Sequence, residues 1–327
     1  MLLVLVYVLK VEHHTFLNCG SLELDVTDKL KNITSIGYGA FAECNGVTGE
    51  LNMPNLQGTL YSYTFTNTGI TKIISLGEIT SIVSNENNNS PFKGTRLTDV
   101  ILSDTITEIT QDSLFANIAT LKNVNIPHNL KSLPTRMFYN CTGLTSIQIP
   151  EAVTSIGSAC FSGCSNLEFD LSSFDFNITT LNDSCFFKCS KVYGEINLPN
   201  LAGRLGSQAF HSTLITKVND LGTVNNVGYA CFAECLNLKK IVFPETVTYV
   251  DNHMLRANEN YVVLIFKSAV PCTIGKDFFV GFKGTYKIYV PDDSVEAYRQ
   301  ASTWINWATK IFPISEYVEG EEDEITE

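Results

Sequence analysis

The chain has 327 residues, 44% of them hydrophobic, which is enough to bury an extensive core. Its 22 basic residues against 34 acidic ones leave a formal charge of −12, which repels phosphate backbones and anionic lipid and argues against a nucleic-acid partner. No run of 18 apolar residues occurs, so no insertion into a membrane as a helix is expected.

The opening stretch, M-L-L-V-L-V-Y-V-L-K, is apolar but has no basic residues ahead of it and no small-x-small site behind it, so it does not read as a secretory leader. Phe16-Leu17-Asn18-Cys19 is a poor lipoprotein box. Val11, Phe16, Cys19 and Leu22 instead fall on a spacing that recurs down the chain, and residues 1–32 are expected to form an incomplete, capping first repeat.

That spacing is marked by Phe16, Phe41, Phe65, Phe92, Phe115, Phe138, Phe161, Phe186, Phe210, Phe232, Leu255 and Phe279, at steps of 22 to 27 residues. Units so short cannot bury an apolar face alone and must stack on their neighbours. The sequence therefore predicts a β-rich solenoid of about twelve coils. Each unit carries L-x-x-I-x-I-P, as at Leu144, Ile147, Ile149 and Pro150, then V-T-S-I-G, as at Val153 to Gly157. Both alternate as half-buried strands do, and proline or glycine closes each of them. Phe115 lies six residues after Ile109 where five is the rule, so Leu114 competes for its seat. Ser84 to Pro91, S-N-E-N-N-N-S-P, reads as a polar loop inserted in one repeat.

Two corner types are expected. Where Cys stands three residues after the Phe (Cys19, Cys44, Cys141, Cys164, Cys189, Cys235), the next apolar residue follows six later, and the thiol should pack inward as a small hydrophobe. Where Thr stands there (Thr68, Thr95, Thr213), it follows five later, and the hydroxyl should satisfy a backbone group. Residues 33–77 align without gaps on 178–222 with 21 of 45 identical, so a block of repeats was duplicated. After the last strand, Lys287 to Ile311 predicts a capping helix with Asp292, Asp293 or Ser294 at its N-terminus and Val295, Tyr298 and Ile305 on one face. Trp304 and Trp307 should cover the open end of the stack, or else offer an aromatic ligand platform. The run Glu319 to Glu327 has little to bury and reads as a solvated acidic tail.

These motifs, L-x-x-I-x-I-P, then V-T-S-I-G-x-x-A-F-x-x-C, and finally I-Y-V-P-D-D-S-V-E-A-Y-R at Ile288 to Arg299, resemble the BspA-like leucine-rich repeats of bacterial surface proteins. The resemblance spans roughly residues 11 to 311 and lacks the regular Asn ladder of other leucine-rich repeats, so a second short strand is expected in each coil. It implies a leucine-rich repeat array with residues 1–32 as an N-terminal cap, 33–290 as the solenoid, 291–318 as a C-terminal strand–helix cap and 319–327 as an acidic tail. It also implies a secreted or cell-surface protein, with adhesion associated with some members.

Chemistry is sparse. Cys160, Cys185 and Cys231 each stand four residues before a corner cysteine, but these positions are repeat slots filled elsewhere by Ala or Thr. Buried thiols, inter-coil disulfides and a metal site all remain open, and Cys272 stands outside the slots. The histidines His13, His14, His128, His211 and His253 show no catalytic or metal spacing, and Glu50 and Glu195 are duplicates that read as solvated strand residues. No enzyme activity and no cofactor are expected. Function should lie on the outward first-strand face: Lys72, Asp99, Lys122, Asn123, Asn125, Thr145, Ser146, Gln148, Glu168, Asp170, Lys239 and Lys240. Its expected ligand is a host or neighbouring-cell surface protein, an extracellular-matrix protein or a glycan, met by a monomer. The alternative is a spacer arm that displays another domain. A cluster of exposed aromatics would favour binding.

Overall fold

The structure, a computed structural model, describes residues 8–84, 89–173 and 177–324. Residues 85–88 of the polar insertion and 325–327 of the acidic run lie outside them. The chain divides into two compact units at Leu167/Glu168. Each is a parallel β-solenoid, because every strand pairs with its equivalent in the next turn. In the first unit the sheet of first strands runs Leu24–Asp25, Val47–Asn52, Gly69–Ser75, Asp99–Val100 and Asn123–Val124. In the second it runs Phe169–Asp170, Val192–Asn197, Leu214–Asp220, Lys240–Phe243, Val262–Phe266, Tyr286–Val290 and Ile311–Pro313. Second strands stack in the same way, as Gln57–Tyr61 on Glu78–Val83 on Glu108–Ile109 and as Ala202–Leu205 on Thr223–Val227 on Tyr249–Val250 on Thr273–Ile274. The alternating inward residues, such as Ile73, Val100, Ile156, Val218 and Ile241, are buried.

The recurring Phe marks a third side, which is neither strand nor helix. In the first unit the rings of Phe16, Phe41, Phe65, Phe92, Phe115, Phe138 and Phe161 stack face to face with centroids 5.0 to 6.3 Å apart. Phe186, Phe210 and Phe232 do the same in the second. Phe115 holds the seat for which Leu114 competed, and both are buried. In most corners the residues two before and two after the Phe have left-handed backbone, for example Ser113 (φ 59°) and Asn117 (φ 62°), or Arg136 (φ 55°) and Asn140 (φ 55°); Ser90, two before Phe92, departs from this. That alternation turns every second peptide unit along the stack. The amides of Ser113, Phe115 and Asn117 donate to the carbonyls of Thr135, Met137 and Tyr139 in the following turn, at 2.9, 2.9 and 2.7 Å. Three bonds at such a corner thus replace the ladder that a strand would have made, and they satisfy backbone that the rings bury; at the Phe92 corner the Ser90 hydroxyl mediates instead, accepting the Phe92 amide (3.1 Å) and donating to the Leu114 carbonyl of the following turn.

The corner residues complete this arrangement. Cys44 donates its thiol to the carbonyl of Phe16 in the preceding turn (2.8 Å), Cys141 to Phe115 (3.1 Å), Cys164 to Phe138 (3.0 Å) and Cys235 to Phe210 (3.0 Å). Asn258 fills the same slot and donates to Phe232 (3.2 Å). The thiols do pack inward, but they are hydrogen-bond donors as well as small hydrophobes. In the shorter corners Thr68, Thr95 and Thr213 donate to their own turn's Phe65, Phe92 and Phe210 carbonyls at 2.7 to 2.8 Å, which is the backbone role expected of the hydroxyl. All ten cysteines are free thiols. Burial pushes Cys164 and Cys272 up to about 12 and Cys235 to about 11, so little thiolate forms at neutral pH.

The duplicated block is duplicated in detail. Its first strand slips register at Gly49/Glu50 and Leu51/Asn52, and at Gly194/Glu195 and Ile196/Asn197 in the copy. Gly49 (φ 99°) and Gly194 (φ 97°) make the bulge. A β-carbon on either would collide with Asp25 or Asp170, whose carboxylates accept the amides of Thr27 and Ser172 at 2.9 Å.

The end of the chain departs from expectation in four ways. Phe279 is only half buried and leaves the ladder to stack on Tyr286 (4.1 Å), while Phe278 takes the interior. The α-helix is confined to Val295–Gln300, and its face is Ser294 and Tyr298; Ile305 is exposed in a following 3₁₀ segment. No side chain caps the helix, and Asp292 instead accepts the amide of Ser315 (3.0 Å). A further strand, Ile311–Pro313, extends the sheet past the helix. Trp304 does cover the last coils: it lies edge-on to Phe266 (4.9 Å) and donates its indole N–H to Cys272 O (2.6 Å). Trp307 packs beside Phe279 at 5.3 Å.

Replacing a fully enclosed ring in this ladder leaves a cavity that neighbouring coils cannot fill. Phe138→Ala should lose about 3–5 kcal/mol in urea unfolding, and Phe16→Ala, at a half-buried end position, less than half as much; equal losses would contradict the ladder.

Candidate interaction surface

In the first unit the strand register aligns Glu50, Lys72, Asp99 and Asn123 across four consecutive turns. Lys72 pairs with Glu50 (3.4 Å), and Asn123 donates to Asp99 (2.6 Å). Hydrogen bonds from Thr98 and Asn123 hold the Asp99 carboxyl below its usual range, so it stays ionised at neutral pH. Lys122 is exposed beside this row, and Thr145, Ser146 and Gln148 are exposed on a later turn. Asn125 is exposed but its amide is engaged: it binds both N–H and C=O of Leu102, at 2.7 and 2.8 Å. In the second unit Glu168 pairs with Lys191 (3.0 Å), and Asp170 belongs to the bulge. The face is thus largely satisfied by its own neighbours.

The residues that the sequence reading passed over are apolar and aromatic. Ile74 and Ile101 are 38% and 54% exposed, two residues beyond Lys72 and Asp99 on the same face. At the neighbouring corners His14 meets Tyr38 edge-on (5.0 Å), Tyr38 meets Tyr63 (5.8 Å), and His13 lies 6.0 Å from Tyr61. Glu43 closes the group by accepting from Tyr63 Oη (3.0 Å) and from Asn67 Nδ2. The signal was available: His or Tyr two or three residues before the marker Phe in three successive repeats.

The second unit holds the largest surprise. Lys217 and Lys240 align in adjacent strands, and Val263 and Lys287 continue the row. The acidic run expected to be a solvated tail folds back over them. Glu319 pairs with Lys240 (2.6 Å), Glu321 with Lys287 (3.1 Å), Glu322 with Lys217 and Lys240 (3.1 and 3.5 Å), and Asp323 with Lys217 and Lys239 (2.6 and 3.3 Å). Glu321 also accepts from Tyr261 and Tyr289, at 3.1 and 2.7 Å, and Glu322 from Tyr317 at 3.0 Å. Beneath the acids, Val263, Ile265 and Tyr289 form a small outer core with Val242, Tyr261, Phe312 and Tyr317. Lys240, placed on the outward face by sequence, is therefore buried, at 6% exposure, and the Glu322 side chain is fully so. The tail reading failed because it counted only what the run could bury and not the cations that it could cover.

A groove of about 260 Å³ runs between Asn219–Thr223 and Val242–Thr246, with Asp220, Glu245 and Lys267 on its walls. Among the described residues no group of three His, Cys, Asp or Glu side chains is placed to hold a metal ion, and no helix is long and apolar enough to cross a membrane.

Short parallel coils, most of them with a Phe corner, stacked in each unit and closed in the second by a strand and helix, define a leucine-rich repeat protein. The family comparison specifies it further: the BspA type leucine-rich repeat region matches residues 9–90, 85–193 and 169–285, and the chain belongs to that family. Among solved structures it is similar to a leucine-rich repeat protein from Bacteroides ovatus, at 19% identity and TM-score 0.55 over 89% of this chain and 84% of that one. It is also similar to one from Eubacterium ventriosum, at 18% identity and TM-score 0.50 over 84% and 81%. A leucine-rich cell surface protein from Faecalibacterium prausnitzii aligns at 18% identity and TM-score 0.48 over 86% and 83%. No curated protein matches in sequence.

The docked acidic segment has a pH dependence of definite sign. Burial alone would push Glu322 up, but its backbone bonds, Lys217, Lys240 and Tyr317 hold it below its ordinary value of 4.5; Lys217 first, then Lys239, holds Asp323 below 3.8. Bonds to Asp323 and Glu322 outweigh burial and hold Lys217 above 10.5. The carboxylates therefore contribute fully above their ordinary values and lose that contribution as pH falls through the depressed ones. Hydrogen exchange of residues 316–324 should lose its protection below about pH 4 while Val262–Phe266 keep theirs; protection that persists unchanged at pH 2 would contradict the ionic account.

Proposed function

We propose that the chain is a non-enzymatic recognition module, secreted or displayed at the cell surface, that binds a protein or glycan ligand along its repeat surface. The observation that carries this reading is the run of aromatic and apolar side chains in consecutive turns of the first unit: exposed His13, His14 and Tyr61 with half-buried Tyr38 and Tyr63 at the corners, and exposed Ile74 and Ile101 on the strands. Clustered side chains of this kind supply binding energy, because they give up water on contact at little entropic cost. The self-paired row Glu50, Lys72, Asp99 and Asn123 would suit a spacer arm equally well, so the support for binding comes from the aromatics and isoleucines. The surface setting rests on membership of a repeat family of bacterial surface proteins. The non-catalytic reading rests on the sequence, which carries no nucleophile or metal motif.

The test is a pull-down and array of the purified chain against extracellular-matrix proteins and glycans. A ligand should appear, and Tyr61→Ser or Ile101→Ser should weaken it at least tenfold without lowering the melting temperature by more than about 2 °C. These are surface changes of small stability cost. No ligand across the panel would return the spacer reading.

A further inference from the structure

We infer that the row of Lys217, Lys239, Lys240 and Lys287, with Tyr261 and Tyr289, is a docking site for an acidic peptide segment of a partner protein, and that residues 319–323 are its internal stand-in. The inference rests on the recognition reading above and names the partner chemistry of one site.

Two sets of observations carry it. The site is built for a peptide carboxylate rather than for a diffuse anion. Lys217 and Lys240 stand in adjacent strands, about 4.8 Å apart by the spacing of a sheet, and Lys287 stands two strands further on beyond Val263, so the row matches carboxylates spaced along a chain that crosses the strands. Tyrosine hydroxyls of Tyr261 and Tyr289 converge on one carboxylate oxygen of Glu321, and the ring of Tyr317, five residues before Glu322, fills the apolar patch of Val263 and Ile265. An acidic peptide with an aromatic residue ahead of its charges therefore meets every part of the site, while a polyanion without backbone or ring leaves the patch and the hydroxyls unmet.

The occupant, in turn, is anchored by buried Glu322 and by Tyr317, while its other contacts are exposed and can be exchanged one at a time. After the strand Ile311–Pro313, the described residues of the segment make no further strand pairing and include the four-residue helix Glu321–Glu324. Gly320 (φ 90°) forms an open bend where an added β-carbon would meet no neighbour. Glu319 and Asp323 hold their lysines from exposed positions, at 74% and 47%, where each ion pair contributes little. If the segment leaves, the lysines face one another without a counter-charge, so the vacated row demands an anion of the same pattern. A tethered segment presents itself at an effective concentration on the order of millimolar, so it masks the site against weak ligands and yields to strong ones.

The experiment uses the full chain and a fluorescein-labelled peptide of the sequence Ser315 to Glu324, followed by anisotropy. The wild type should bind it weakly. Glu319→Gln with Glu322→Gln and Asp323→Asn should bind at least tenfold more tightly, and adding Lys217→Gln should abolish the gain. If the triple variant does not fold, Asp323→Asn alone, at a half-exposed position, should still bind a few-fold more tightly than the wild type. A peptide with its acids replaced by amides should not compete. Equal binding by wild type and variant, no binding by a folded variant, indifference to Lys217→Gln, or competition by heparin but not by the unlabelled acidic peptide would each overturn the proposal. Ligands found by the panel and weakened by Tyr61→Ser report on the first unit, so either result can fail without the other.

Discussion

Everything in each unit depends on one contact, the stacking of one Phe corner on the next. A strand-only coil would have to close its third side with unpaired peptide groups, which cannot be buried without cost. Left-handed residues on both sides of the Phe remove that cost by turning alternate amides toward the following coil, where the carbonyls around the next Phe receive them. Ring stacking and backbone bonding therefore reinforce each other at the same residues, and every coil needs its neighbour for both. The corner Cys, Asn or Thr then donates to a Phe carbonyl as well, which in turns such as those of Phe92 and Phe138 also accepts the amide three residues on.

This explains why so much of the fold was legible in the sequence. A residue that must occupy the same seat in every coil leaves a period, and the period of the Phe, the shift between Cys and Thr corners and the 145-residue duplication are all consequences of equivalent seats. What had no period was not legible. The left-handed positions are filled by His, Asn, Glu, Ser, Arg, Lys, Gln and Ala as well as Gly, because the constraint there is the backbone and not the side chain. At the C-terminal end the seats stop repeating, and there the reading erred on Phe279, on Ile305 and on the extra strand at Ile311–Pro313.

The candidate surface was legible only in part, for a related reason. Period identifies which residues point outward but not what they meet. Lys72, Asp99 and Asn123 came together as alignment implies, Asn125 and Asp170 proved to serve the backbone, and Lys240 proved to be covered. The covering segment lies 79 residues from Lys240 and 106 from Lys217, so no local pattern could join them. Charge sign did carry the information: acids concentrated at one end of the chain, and lysines on outward strand positions of the turns before it.

The account stands or falls on the bonding of the Phe corner, and residue-resolved hydrogen exchange measures that bonding directly. The amides of Ser113, Phe115, Asn117, Arg136, Phe138 and Asn140, which a secondary-structure map would class as turn, should exchange as slowly as those of the strand residues Ile73 and Ile82. Exchange at those six positions as fast as in exposed loops, with slow exchange confined to the strands, would contradict it.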